Sequence, residues 1–184
     1  KNLISFVGRF DYFPNEQAAV WFASDVLPKI TAKLPNMTLQ IVGANPSLRV
    51  RALVNHPNVI VTGTVASVAP FVQRSLATVA PLHIARGVQN KVLESMAMAV
   101  PALISPEVAK GVEARDGVET MVCAAVDDYV HAILTLVDEP ERRTRVATAA
   151  RNRAKGDMGW ANAMHKLSAH VANLTQRSPA RAAN

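Results

Sequence analysis

The chain has 184 residues, of which 49% are hydrophobic and 18% charged. That supports one sizeable core and excludes a disordered or fibrous protein. No apolar run reaches the roughly 18 residues needed to cross a bilayer, no signal peptide is expected ahead of the first apolar run, and the single cysteine excludes an intrachain disulfide.

A cytoplasmic domain is therefore expected, and the absence of an initiator methionine before Lys1 points to a piece of a longer polypeptide. Cys123 sits in an apolar run and reads as a small buried hydrophobe. The net charge of +6 is unevenly spread: residues 1–140 hold 11 basic and 12 acidic side chains, residues 141–184 hold 9 and 2. A basic end favours an anionic partner such as a membrane surface. The arginines of "RRTRVATAARNRAK" recur at helical spacing, so a solvated helix face accounts for them as well. No recognition helix stands out, so nucleic acid is not expected.

In chain order, "LISFVG" (3–8) predicts a strand. Residues 14–33 predict a helix, with Pro14 in its first turn and Ala19, Trp21, Phe22, Val26 and Ile30 on one face. "MTLQIVG" (37–43) predicts a second strand, 46–54 a short helix, "VIVTG" (59–63) a third strand, and 67–75 another short helix. "ATVAPL" (77–82) predicts the fourth strand and 89–99 the helix after it. "PALISP" (101–106) and "TMVCAA" (120–125) predict the last two strands. Helices follow at about 126–138, 140–155 and 160–174. The expected domain is 1–175, with 176–184 a disordered tail.

Strand–helix alternation with continuously apolar strands predicts an α/β domain: a doubly wound, Rossmann-like, six-stranded parallel sheet with helices on both faces and C-terminal helices. Ligands of such sheets bind at the carboxyl ends of the strands. Those ends carry Gly8-Arg9, Gly43, Gly63-Thr64 and the loop 83–90. Glycine permits a sharp turn and close approach of a ligand, and an arginine just beyond it offers a fork for phosphate oxygens. A surface salt bridge would use Arg9 equally well.

The stretch "RGVQNKVLESMAMAVP" (86–101) has a polar front and an apolar body. Asn90 is a reasonable N-cap. The free N–H groups at the helix start, with Lys91 beside them, make an anion site. Glu94, one turn on, can accept two hydrogen bonds from a vicinal diol such as a ribose. Together they describe a nucleoside diphosphate. A capped helix with a Lys91–Glu94 pair is the alternative.

Seven fragments in this order resemble the donor-binding, C-terminal half of the GT-B retaining glycosyltransferases of group 1, or family 4. They are "FVGRFDYFPNEQAAVWF", "LQIVGANP", "VIVTGTV", "ATVAPL", "GVQNKVLESMAMAVPALIS", "ARDGVETMVC" and "MGWANAMHKL". The resemblance implies a sugar transferred from a nucleotide diphosphate donor to an acceptor hydroxyl with retention of configuration, in polysaccharide or glycolipid synthesis. Arg9 would bind the pyrophosphate and stabilise the leaving group, with Gly8 permitting the turn before it. Glu94 would hold the ribose, and Gly87, Val88, Gln89 and Asn90 would contact phosphate and sugar. Gly63, Thr64 and Val65 would border the base. Arg9 and Glu94 are thus the expected catalytic pair, and Lys91 joins them in binding the donor. The UDP-, GDP- or other nucleotide-sugar is a substrate, and neither cofactor nor metal is implied. The acceptor would sit on an N-terminal domain that this chain lacks, so the chain alone is expected to be inactive.

Three departures accompany the resemblance. Arg86 stands where the family has its first glutamate, Pro14 and Asn15 stand in place of its phosphate-binding lysine, and Ala99 replaces a usual glycine. Lys91 can replace the missing charge. A sugar-nucleotide epimerase-like domain and a degenerate docking module are the alternatives. His56, His83, His131, His165 and His170 are scattered, with no metal-binding spacing, and Asp127-Asp128 reads as a helix cap.

Overall fold

The computed structural model describes residues 1–156. The expected helix 160–174 and the tail lie outside the described residues. The sheet has six parallel strands in the order β3-β2-β1-β4-β5-β6. They are β1 Leu3–Val7, β2 Thr38–Val42, β3 Val59–Gly63, β4 Ala77–Ala80, β5 Ala102–Ile104 and β6 Met121–Val122. The order runs outward one way from β1 through β2 to β3, then returns to β4 and runs the other way. With right-handed crossovers, the two runs carry their helices on opposite faces. The doubly wound expectation holds, and the point of reversal lies between β1 and β4.

The helices are α1 Phe13–Trp21, α2 Leu27–Thr31, α3 Leu48–Ala52, α4 Ala69–Arg74, α5 Asn90–Ala97, α6 Pro106–Val112, α7 Val126–Asp138 and α8 Pro140–Lys155. The expected helix 14–33 is present as α1 and α2 joined through a π-helical turn, Phe22–Val26. Pro28, which has no N–H and whose ring crowds the carbonyl one turn back, accounts for the irregular turn. The expected sixth strand 120–125 shrinks to two residues.

Helix α6 was not anticipated. It starts at Ser105, whose Oγ accepts from Val108 N (3.3 Å), with Pro106 at the first helical position and Glu107 beside it. Those are ordinary start signals, overlooked because the segment is short. Asp128 caps α7, its Oδ2 accepting from the N–H groups of Ala124 and Ala125 at 2.9 and 2.8 Å. That is the cap the Asp-Asp pair predicts, while Asp127 instead pairs with Lys29.

The core is continuous across the sheet, with Ile4, Phe6, Leu39, Ile41, Leu103 and Ile104 buried in the strands. Phe22, Ile30, Tyr129 and Ile133 pack from the helices. One polar cluster crosses it: Gln40 Nε2 donates to Ser5 Oγ (2.6 Å), Ser75 Oγ (3.0 Å) and the Phe71 carbonyl (3.0 Å). This ties β1 and β2 to the end of α4 with a buried amide whose donors are satisfied. Cys123 is buried and its thiol is pushed up to about 12 by desolvation, so it is an inert core side chain. On α8, Arg142 pairs with Glu139 and Arg145 with Glu141, while Val146, Ala147 and Ala150 face the core. The solvated-face reading of the basic segment fits this arrangement. No described helix is long and apolar enough to cross a membrane.

Candidate donor site

A cleft of about 570 Å³ opens at the carboxyl ends of β1, β2 and β3 and is closed by the start of α5, beside the point where the strand order reverses. This is where a doubly wound sheet leaves room for a ligand, because neighbouring crossovers diverge to opposite faces. The cleft is lined by Gly8, Arg9, Thr64, Val65, Gln89, Asn90, Lys91 and Glu94 among the expected residues. Gly43, one of the strand-end glycines, also lines it, as do Val7, Tyr12, Asn15, Ala44 and Val68, which the sequence did not single out as ligand contacts.

Three expected residues stand outside the lining. Gly63 ends β3 with φ +69°, and its carbonyl accepts from Gly43 N (3.2 Å), so it turns the chain rather than facing the cleft. Gly87 has φ +65°, and its carbonyl packs against Gly111 of α6. Val88 is 56% exposed on the rim. Asn90 is also not the N-cap: helix α5 begins at Asn90, the cap position is Gln89, and no side-chain group caps it.

Close backbone packing sets the floor of the cleft. Gly8 N donates to the Val42 carbonyl (3.1 Å) and Phe10 N to the Ala44 carbonyl (2.9 Å). A Cβ on Gly43 would stand 1.9 Å from the Gly8 carbonyl oxygen, so the two loops meet only because Gly43 has no side chain. A Cβ on Gly8 would stand 2.9 Å from Asn15 Nδ2 and 3.4 Å from Lys91 Nζ. Gly8 thus leaves the space in which those two side chains converge.

Arg9 extends from the loop after β1. Its Nε and Nη2 donate to Asp11 Oδ1 and Oδ2 at 3.2 and 2.7 Å, and Asn45 Nδ2 donates to the same Oδ2 at 3.0 Å. The hydrogen bonds from Arg9 and then Asn45 hold the Asp11 carboxyl down at about 2. The pair is solvent-exposed, which keeps its energetic worth small.

Lys91 is the unusual cation. Its stem runs over β1, with Nζ 5.1 Å from the centre of the Phe6 ring, and Nζ donates to Asn15 Oδ1 (2.5 Å). Among the described residues no carboxylate pairs with it. In particular it does not pair with Glu94, so the Lys–Glu helix pair allowed by the spacing does not form. Burial lowers its pKa to about 8, the ammonium having given up water without gaining a counter-charge. Its backbone is fixed too: Ser95 Oγ donates to the Lys91 carbonyl (2.8 Å) and lies 2.9 Å from Thr78 Oγ1 on β4. Glu94 is exposed in the same cleft, its carboxylate unpaired among the described residues.

One cleft at the reversal point of a six-stranded parallel sheet, with two cations, an uncapped helix start and an open carboxylate, defines a Rossmann-like ligand-binding domain. The sequence profile described as "Glycosyl transferases group 1" matches residues 1–139. The chain belongs to that family. Its fold is similar to that of HepE from Anabaena, with a TM-score of 0.77 at 10% identity over 94% of this chain and 49% of that one. It is also similar to a glycosyltransferase from Rickettsia africae, with a TM-score of 0.76, 11% identity and 96% and 48% of the two chains covered. Sucrose-phosphate synthase from Thermosynechococcus elongatus gives 0.74 at 16% identity, over 97% and 46%. The chain therefore spans about half the length of these structures, one Rossmann-like half of a GT-B fold. No curated protein matches it in sequence.

Proposed function

We propose that this domain binds the nucleotide diphosphate sugar donor of a glycosyltransferase in the cleft between the strand ends of β1–β3 and the start of α5. The observation that carries this reading is Lys91: a half-buried ammonium without a carboxylate partner among the described residues, opening on a cleft that also holds Arg9 and Glu94. A diphosphate is the anion that two cations and the start of α5 would neutralise together. Glu94, one turn along α5, would accept the ribose hydroxyls, and Thr64 and Val65 would border the base. The HepE structure similar in fold is a complex with UDP, which supports a nucleotide as the ligand class.

In transfer, charge develops on the departing diphosphate. Lys91 and the α5 N-terminus are held in place beforehand and would stabilise that charge with little reorganisation, while Arg9 would exchange Asp11 for the phosphate. Their positive charge would serve the reaction without a metal ion. The transferred group would be a hexose, with retention of configuration, and the acceptor hydroxyl would arrive on a second domain. The half described here would then bind donor but transfer sugar poorly alone. A polysaccharide or lipid-linked acceptor at an anionic membrane would suit the basic α8.

A thermal-shift panel with UDP, GDP, ADP and their sugar conjugates tests the reading. A ligand at about 100 times its dissociation constant adds roughly 2.7 kcal/mol of stability. The expected result is a shift with one nucleotide diphosphate, lost in Arg9→Ala and Glu94→Ala variants that remain folded. No shift with any of them in the full-length protein would overturn it.

A further inference from the structure

Asn15 lies at the third position of α1, is 6% exposed, and uses both ends of its amide. Nδ2 donates to the Arg9 carbonyl (2.8 Å), and Oδ1 accepts from Lys91 Nζ (2.5 Å). The orientation of the amide is unambiguous, because a carbonyl only accepts and an ammonium only donates. The bridge joins the loop after β1 to the helix after β4, across the line where the strand order reverses. It is the direct side-chain link between the two segments that carry the cations of the cleft.

We propose that Asn15 is the positioning residue of the donor site: it locks the Lys91 ammonium to the Arg9 loop, so that both cations meet one diphosphate. The proposal rests on the donor-binding reading above.

Only a side chain that both donates and accepts can make this bridge. A carboxylate would hold Lys91 but lose the Arg9 carbonyl and cancel the charge a phosphate needs. An apolar side chain would leave the ammonium without its acceptor. The absent Cβ at Gly8 is part of the same device, since a methyl there would crowd Asn15 Nδ2. Phe6 covers the lysine from below. Arg9 and Glu94 line the same cleft as Lys91; the neighbouring segments also carry Asp11 on the loop after β1, Glu16 on α1 and Arg86 on the loop before α5. Asp11 is taken by Arg9 and Glu16 by Arg49, and burial is what lowers the lysine. Nucleotide affinity should therefore fall as pH rises through about 8 and the lysine loses its proton.

The test uses the full-length protein, with Asn15→Leu and Asn15→Asp variants. Two quantities are read: the titration of Lys91 by NMR of labelled lysine, and the affinities for UDP, GDP and ADP against those for the matching nucleosides. A hydrogen bond to a charged group is worth about 1.5–3 kcal/mol, or roughly 10- to 100-fold. The expected result for Asn15→Leu is a Lys91 titration moved further down and a diphosphate affinity reduced by about that factor, with nucleoside affinity unchanged. In Asn15→Asp the lysine should titrate higher than in the native protein while diphosphate affinity still falls. An Asn15→Leu variant that binds diphosphate as the native protein does, or leaves the Lys91 titration unmoved, would overturn the positioning role alone. A native protein that binds none of the three nucleotides would overturn the donor reading, and this proposal with it.

Discussion

Replacing Lys91 with methionine should make the domain more stable while abolishing nucleotide binding. Methionine keeps most of the stem's packing over Phe6 and removes the charge. In the fold, the lysine is lowered from 10.5 to about 8 by burial. Each pK unit corresponds to about 1.4 kcal/mol, so holding the ammonium charged costs up to about 3 kcal/mol at neutral pH. The stem still reaches solvent, which makes that figure an upper bound. Leaving Asn15 Oδ1 without its donor returns about 1 kcal/mol. A net gain of up to about 2 kcal/mol follows, a Tm rise of at most several degrees in a domain of this size. The sign with pH is definite. A lysine lowered by folding binds fewer protons in the native than in the unfolded state between about 8 and 10.5. The native protein therefore gains stability across that window. The advantage of Lys91→Met should be complete below about pH 8 and gone above 10.5. Urea unfolding at several pH values, with UDP titration alongside, checks it. A variant less stable at pH 7, or one whose advantage is the same at both ends of the window, would refute the reasoning.

Other consequences follow from the same geometry. Ala99 closes α5 with φ +55°. Relieving a left-handed alanine with Ala99→Gly should stabilise by about 0.5–1 kcal/mol, the strain of about 1–2 kcal/mol less the entropy that glycine adds to the unfolded chain; thermal unfolding reads it. A Cβ on Gly111 would stand 2.3 Å from the Gly87 carbonyl oxygen. Gly111→Ala should therefore displace the loop before α5 and destabilise by about 1–3 kcal/mol, and a net gain from helix propensity in denaturant unfolding would contradict it. Asp11 occupies the Arg9 fork that a phosphate would use. Asp11→Asn should tighten UDP binding at low salt, and only modestly, because an exposed pair is worth little and is screened by salt. Isothermal titration at two ionic strengths decides it.

The periodicity of the chain was enough for the architecture. Continuous apolar strands such as "LISFV" and "TLQIV", separated by amphipathic segments, leave a parallel sheet covered on both faces as the arrangement that buries them. The weakest readings were local. Helix α6 was passed over although Ser105, Pro106 and Glu107 mark its start, because seven residues give too little periodicity to register. Gly63 and Gly87 are expected as ligand contacts only because the family resemblance aligns them with its donor-binding loops. Both have positive φ values, which turn the chain, and neither is among the residues that line the cleft.

Asn15 and Asp11 show the limit from the other side. In sequence, Asn15 is one polar residue in the first turn of a helix, 76 positions from Lys91. Asp11 is an acid in a loop. Neither carries a pattern. The sequence alone determined the class of fold, the end of the sheet where a ligand would bind, and the residue types offered there, because hydrophobic period and strand-end glycines are local properties of the chain. Whether Lys91 pairs with Glu94 or reaches across the sheet reversal to Asn15 was open to either answer by spacing. Only the tertiary structure decided it, because the choice depends on Gly8 leaving room, on Phe6 lying beneath the lysine, and on β1 and β4 standing side by side.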